Sequence, residues 1–494
     1  MNHHHMASVL LASFLFCAPQ VMAVDSIKSL EDAVTLARQQ HPSVLLAVEN
    51  LKKTKNVIIQ TLGPARSPAL RATVSYTRLS GLGAAFGGGG GAGGSVSVNN
   101  PFPIGLNLQP PGSAPLQLGI PSSPTRSRQA PGDDPVDSGG SGGVFGSNIN
   151  LNQQSVQLSL TQLIDVAGSI RQATYIGDAE VLLGLQEIAR IQEDVSFSVR
   201  NAWFACLRSE SLVRVADSNL NRSKAQLKTA EAQLRNGTVA AYDVLRAKTQ
   251  VTNDHQQLVT ARNQAAIQRS SLALEIGTSA DTTILLTVPT TPDEITLPIV
   301  ATLNVTTLCN DALLNRPESK SADINVVKAK HNADFQKGGM NGSFALSLNG
   351  NYNPNPALVS NQQGTGSLTF VYQKPILDGG LARASNDSAR VDERRAEIQR
   401  EQFRRGITTE VIQAVIAVKD AQERISSSTL GLIDSREGFR LAGVRYREGV
   451  DTQLSVYDAQ SVLTQAETNA VNSRYDLLMA VARLRRATGT AYVP

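Results

Sequence analysis

Tyr446-Arg447-Glu448-Gly449-Val450-Asp451-Thr452-Gln453-Leu454-Ser455-Val456-Tyr457-Asp458-Ala459-Gln460 forms a short polar turn between two long stretches of helical character. An earlier stretch echoes it: Arg235-Asn236-Gly237-Thr238-Val239-Ala240-Ala241-Tyr242-Asp243-Val244-Leu245-Arg246-Ala247. Aligned on Gly237 and Gly449, the two share Val244 with Val456 and Ala247 with Ala459. Self-similarity at long spacing indicates repeated structural units. The chain therefore reads as two similar halves, each ending in a long helical hairpin.

Working outward, proline is absent from Gln172 to Thr287 and again from Ile376 to Val493. The pattern predicts hairpins over 172–277 and 384–489, with outgoing helices 172–235 and 384–447. At ~1.5 Å rise per residue each outgoing helix would be roughly 95 Å long. No globular core is that long, so the helices must pack side by side. Their apolar positions are sparse and often alanine, as at Ala202, Ala205 and Ala216. The dense charge run from Arg390 to Glu401 reads as a solvated face with ion pairs three or four residues apart. The return helices, 241–276 and 453–488, stop at Gly277 and Gly489, as helices do at glycine.

Upstream of each hairpin the order of parts repeats. Helical segments are broken at His41-Pro42 and at Arg316-Pro317, because a residue before proline avoids the helical region. Strand-like alternation follows over about 68–78 and 155–164 in the first half, and about 343–353 and 366–374 in the second. One face of these strands is apolar and the other small and polar, which suits a membrane barrel wall or a half-buried sheet. Between the first two strands lies a Gly/Pro/Ser-rich segment, 81–150, read as a surface loop. Gly87 to Gly91 is no phosphate loop, since no Gly-Lys-Ser/Thr follows. Pro375-Ile376-Leu377-Asp378-Gly379-Gly380 turns the fourth strand into a helix, because Pro375 ends pairing and the glycines permit the turn. The expected division is a signal peptide at 1–23, a first repeat at 24–287, a linker at 288–306 and a second repeat at 307–494.

Met6 to Ala23 reads as a secretory signal with a Val21-Met22-Ala23 cleavage site. Cys17 invites a lipidation reading, but Phe16 stands where a small residue is expected. After cleavage only Cys206 and Cys309 remain, so no disulfide framework is implied. The 494 residues carry a net charge of +4, which points away from nucleic acid. His41, His255 and His331 lack ligand spacing, and no nucleophile elbow, nucleotide loop or zinc motif occurs. The reading is therefore no enzyme, no cofactor and no metal.

The duplicated strand-strand-helix-turn-helix order, the Pro375–Gly380 corner and the two tip turns together resemble the TolC-like outer membrane efflux protein family. The resemblance covers about Ser29 to Gly489, leaving out the 81–150 insert. It implies a mainly α chain with a membrane β-barrel part. Two structural repeats would supply four strands per chain, twelve in a homotrimer, and the helical hairpins would form a periplasmic α-barrel. An open strand edge cannot face lipid, which agrees with trimeric closure. The resemblance implies a periplasmic gate at Tyr446, Asp243 and Asp458. Asp451 stands where the family can carry a gate arginine, and Ser455 where a second ring aspartate is common. Gly237, Thr238, Gly449 and Val450 would then be tips that contact a periplasmic adaptor (membrane fusion) protein.

The implied function is an outer-membrane exit duct of a tripartite efflux pump or type I secretion system. It would lie in the cell outer membrane with its helical part in the periplasm. The partners would be outer-membrane lipid, the adaptor and, through it, an inner-membrane pump. The alternative is a secreted trimeric coiled-coil adhesin or stalk without channel activity. Such a stalk would show sustained apolar heptads and would not need four amphipathic strands.

Overall fold

A computed structural model describes residues 29–78, 152–165, 168–278, 304–353, 364–374 and 376–489. The predicted signal, the 81–150 insert, the 288–303 part of the linker and Pro375 lie outside the described residues. The elements run α1 (Leu30–Gln40), α2 (Pro42–Arg66), β1 (Ala69–Arg78), β2 (Asn152–Ile164), α3 (Ser169–Arg235), α4 (Ala241–Ile276), α5 (Val305–Asn315), α6 (Pro317–Gly339), β3 (Ser343–Tyr352), β4 (Gly364–Gln373), α7 (Leu381–Arg447) and α8 (Gln453–Thr488). The second six elements repeat the first six in kind and order. Both α3 and α7 have 67 residues, and both α4 and α8 have 36.

The repeat extends to backbone angles. His41 has ψ 131° and Arg316 has ψ 132°, each extended before a proline that opens the next helix. Proline is well placed there, since its fixed φ suits a first helical turn and its missing N–H removes an orphan donor. The Ser29 side chain caps α1 by accepting from Asp32 N at 3.1 Å, and Asn304 caps α5 in the same way.

The chain divides into two compact units. One comprises residues 1–56, 175–333 and 385–494 and is helical in its described parts. Its core has two equivalent centres. In one, Ala33, Val34 and Ala37 of α1 pack with Val195, Val199 and Trp203 of α3 and Leu272 and Ile276 of α4. In the other, Leu308 and Ala312 of α5 pack with Ile407, Val411, Ala414 and Val418 of α7 and Leu477 and Leu484 of α8. Alanines at the contacts let the backbones approach closely, and the buried apolar area holds the hairpins together.

Helix α8 is also fixed to α3 along its length. Arg486 pairs with Asp194 at 2.7 Å, Tyr475 Oη meets Ser211 Oγ at 3.1 Å, and Arg222 grips Glu467 with two bonds of 2.8 and 3.1 Å. These contacts place the helices in the order α4, α3, α8, α7.

The second unit, residues 57–174 and 334–384, holds one antiparallel sheet in the order β1-β2-β3-β4. Its register sets Leu70 beside Leu160, Leu160 beside Leu348 and Leu348 beside Leu368. The alternating side chains thus form one apolar face and one polar face across all four strands.

Candidate functional site

Two features are candidates: the helical tips and the sheet. The α3–α4 and α7–α8 turns share one hydrogen-bond pattern. Gly237 N–H donates to Leu234 O at 2.9 Å and Thr238 N–H to Gln233 O at 3.0 Å. Gly449 N–H donates to Tyr446 O at 3.1 Å and Val450 N–H to Arg445 O at 3.0 Å. Each is a Schellman stop, which needs a left-handed residue after the helix. Gly237 at φ 75° and Gly449 at φ 73° supply it without a side-chain penalty. Thr238 and Val450 are the residues that follow, and Val450 is exposed.

Tyr446, in the last turn of α7, is buried. Its hydroxyl donates to Gln233 Oε1 of α3 at 2.8 Å. Burial raises its pKa, and the nearby Asp243 carboxylate raises it further. Asp243 itself serves α4: its carboxylate accepts from Ala240 N at 3.2 Å, while Ala240 at the N-cap has no side-chain acceptor to return the bond. In the second hairpin Thr452 caps α8 by accepting from Ser455 N at 3.4 Å.

Asp451 closes its own turn. One carboxylate oxygen accepts from Ser455 Oγ at 2.6 Å and Thr452 N at 2.8 Å, and the other meets Arg445 Nε at 3.3 Å. These partners, the Ser455 hydroxyl foremost, hold the Asp451 carboxyl below its usual range. Asp458 lies on the exposed side of α8, and no ion pair involves it among the described residues.

Tyr457 is a tip residue that sequence reasoning did not single out. Burial pushes its pKa up to about 12, aided by the neighbouring Tyr446. Its hydroxyl accepts from Gln453 Nε2 at 2.9 Å, and the Arg246 guanidinium lies 5.8 Å from its ring centroid. Behind it, Gln460 Nε2 reaches Asn219 Oδ1 at 2.8 Å and Ser223 Oγ at 2.7 Å, and Ser223 donates to the buried Asp254. The tip is thus a buried polar seam joining α3, α4 and α8.

In the sheet, the apolar face is exposed over much of its area: Leu70 is 71% exposed, Val74 76% and Leu368 71%. Near the ends of β3 and β4, Phe344 stacks on Tyr372 at 4.3 Å and lies 5.5 Å from Phe370. The opposite face carries Arg71, Gln157, Ser159, Thr161, Asn349 and Ser367. The edges of β1 and β4 have no strand partner among the described residues. Beyond β4, the Asp378 carboxylate accepts from Gly380 N at 3.0 Å and Ala382 N at 2.8 Å, capping α7. Gly379 and Gly380 follow at φ 65° and 87°, so the corner needs both glycines. Among the described residues no group of His, Cys, Asp and Glu is arranged to hold a metal. No described helix is long and apolar enough to cross a membrane, which says nothing of a β-barrel.

The family model described as outer membrane efflux protein matches residues 119–278 and 308–490. Among curated proteins, a probable efflux pump outer membrane protein of Pseudomonas putida, TtgC, is 23% identical over 331 residues. That match spans 66% of this chain and 66% of that protein, so the chain spans about two thirds of the relative's length. Among solved structures, CusC superposes with a TM-score of 0.71 at 14% identity over 94% of this chain and 92% of that one. The outer membrane protein VceC of Vibrio cholerae superposes with a TM-score of 0.67 at 18% identity over 94% of this chain and 96% of that one. These likenesses concern the fold.

Proposed function

The chain belongs to the outer membrane efflux protein family, and on that premise we propose that it is the passive exit duct of a tripartite efflux pump or type I secretion system. It resides in the outer membrane. Three chains close one barrel of twelve strands. The mature chain starts after a signal peptide at 1–23 and divides into repeats at 24–287 and 307–494.

The observation that carries this reading is the sheet. It exposes much of an apolar face and leaves β1 and β4 without a strand partner among the described residues. In water such a face and such edges promote aggregation. In a bilayer the face meets lipid, and the edges must be paired because no water reaches them. β1 and β4 run antiparallel in the sheet order, so β4 of one copy can pair with β1 of the next. Twelve strands lie inside the range of membrane barrels.

The helices close by the same logic. Tyr242, Leu245, Ile267 and Leu274 of α4 are exposed, as are Ile398, Phe403, Ile416 and Leu430 of α7. Copies set side by side would cover α4 with α7 and continue the duct into the periplasm. The tips at Gly237, Thr238, Gly449 and Val450 would receive an adaptor that links the duct to an inner-membrane pump. Tyr446, Asp243, Asp451 and Asp458 would hold the closed end, and three copies of Asp458 would make an acidic ring. A coiled-coil stalk leaves the amphipathic sheet without a role.

Native mass spectrometry of the detergent-extracted protein tests the assembly. Three mature chains are expected. A monomer, or a protein that extracts without detergent, would contradict the reading.

A further inference from the structure

We propose that Arg483 anchors a binding site for organic anions, carboxylates or sulfonates that carry an apolar ring, in a cavity between α3, α7 and α8. Its place on the inner wall of the duct rests on the reading above; the binding chemistry does not.

The cavity holds about 550 Å³, within the range of small-molecule sites. Phe197, Ala417, Met479 and Ala480 give it an apolar wall, and Glu410, Arg424, Asp476, Arg483 and Arg486 supply its charges. Four of these five already have opposite partners. Glu410 meets Arg316 at 2.6 Å, Arg486 pairs with Asp194 at 2.7 Å and Arg424 with Asp420 at 3.0 Å. Asp476 lies between Arg208 and Arg424, 3.7 and 3.6 Å away. Arg483 is exposed and has neither an ion pair nor a hydrogen bond among the described residues.

Helix packing does not impose this charge, and the first repeat supplies the comparison. Met479, Arg483 and Arg486 of α8 stand where α4 has Ile267, Ser271 and Leu274, and Arg424 of α7 stands where α3 has Leu212. The corresponding hollow on α4 is lined by Ile267, Ser271 and Leu274 and carries no charge. Placement follows from Arg485, which reaches Glu31 of α1 at 4.0 Å. Arg483 comes two residues earlier, about 200° round the helix, so the cavity opens on the face away from α1. A closed ring of helices has room for an added layer such as α1 on its convex side, which leaves the cavity on the concave side. There an unpaired guanidinium offers one carboxylate or sulfonate group a charge-assisted bond. The phenyl ring of Phe197 and the thioether of Met479 offer the attached ring an apolar bed.

The test is isothermal titration calorimetry of the full-length protein in non-ionic detergent with naphthalenesulfonate, for wild type, Arg483→Gln and Arg483→Lys. Wild type should bind it, and affinity should fall about tenfold in Arg483→Gln, the weight of one charge-assisted bond. Arg483→Lys should keep most of the affinity, because the charge is retained. Raising salt from about 0.1 to about 1 M should weaken wild-type binding, as the Debye length falls to ~3 Å. Neutral naphthol should bind wild type and Arg483→Gln alike. Equal affinity of the sulfonate for wild type and Arg483→Gln, or none for either, would overturn the site. In planar bilayers the sulfonate should reduce the current through wild-type channels and spare that through Arg483→Gln. Wild-type channels that bind the sulfonate without loss of current would overturn its placement on the inner wall. Calorimetric binding by a protein that forms no channel would uphold the site and overturn the duct.

Discussion

The hydroxyl of Tyr446 donates a 2.8 Å hydrogen bond to the side-chain carbonyl of Gln233. The two residues come from different halves of the repeat, one in the last turn of α7 and the other in the last turn of α3. The bond ties the two hairpin tips together, with α8 packed beside both. A gate that opens by separating the hairpins has to break it.

Tyr446→Phe and Gln233→Leu should each loosen the tip. A net neutral hydrogen bond is worth about 1 kcal/mol, so the closed population should fall roughly fivefold relative to the open one. Single-channel recordings should show higher mean conductance in each variant. The double variant should resemble either single one, because both remove one bond. Additive effects would mean that the residues act separately.

Alkaline titration should reveal Tyr457. Its folded pKa is raised to about 12 by burial and by Tyr446, whereas an unfolded tyrosine titrates near ~10. The unfolded chain therefore loses its proton first as pH rises. The stability tied to the neutral phenol is fully present below ~10 and is lost as pH climbs through the folded value. Absorbance titration should show a late tyrosine step that disappears in Tyr457→Phe. An unchanged titration curve in that variant would place the late step elsewhere.

Acid should release the Asp451 turn. Its carboxyl is held low by the Ser455 hydroxyl, the Thr452 amide and Arg445. A depressed pKa gives stability that is fully present above the unfolded value of ~3.9 and is lost as pH falls through the lower folded value. Near neutral pH, Asp451→Asn should speed hydrogen exchange of the Thr452 and Ser455 amides. Once pH has fallen through the folded pKa, the variant and wild type should converge. A difference that persists in acid would show that the charge is not what holds the turn.

Gln460→Ala should destabilise the seam between α8 and α3. It removes two buried hydrogen bonds, to Asn219 and Ser223, each worth about 1 kcal/mol net, while Asn219 keeps Thr464 and Ser223 keeps Asp254. Thermal melting followed by circular dichroism should show a lower midpoint. Gln465→Ala, on the exposed side of α8, should change it little.

Much of this architecture was legible because its causes are local. The breaks at His41-Pro42 and Arg316-Pro317 follow from a clash within one dipeptide, and the structure places helix boundaries at both. Gly237 and Gly449 announce their turns because only glycine enters the left-handed region cheaply. The alternation from Phe344 to Tyr352 is one strand's own pattern. What escaped reading is contact across long sequence separation. Nothing around Gln233 says that its partner is Tyr446, and nothing in Gln460 names Asn219 or Ser223. Tyr457 stands inside the turn that organised the reading, yet its burial depends on α3 and α4. The resemblance marked Asp243 as a gate partner; what the structure shows is its carboxylate accepting from Ala240 N at the start of α4.

The most direct measurement is the conductance of the purified protein in a planar bilayer, before and after Tyr446→Phe. The account predicts small channels in wild type that widen in the variant. A protein that inserts and conducts equally in both forms would contradict the tip as the gate. One that forms no channel in either form would contradict the duct itself.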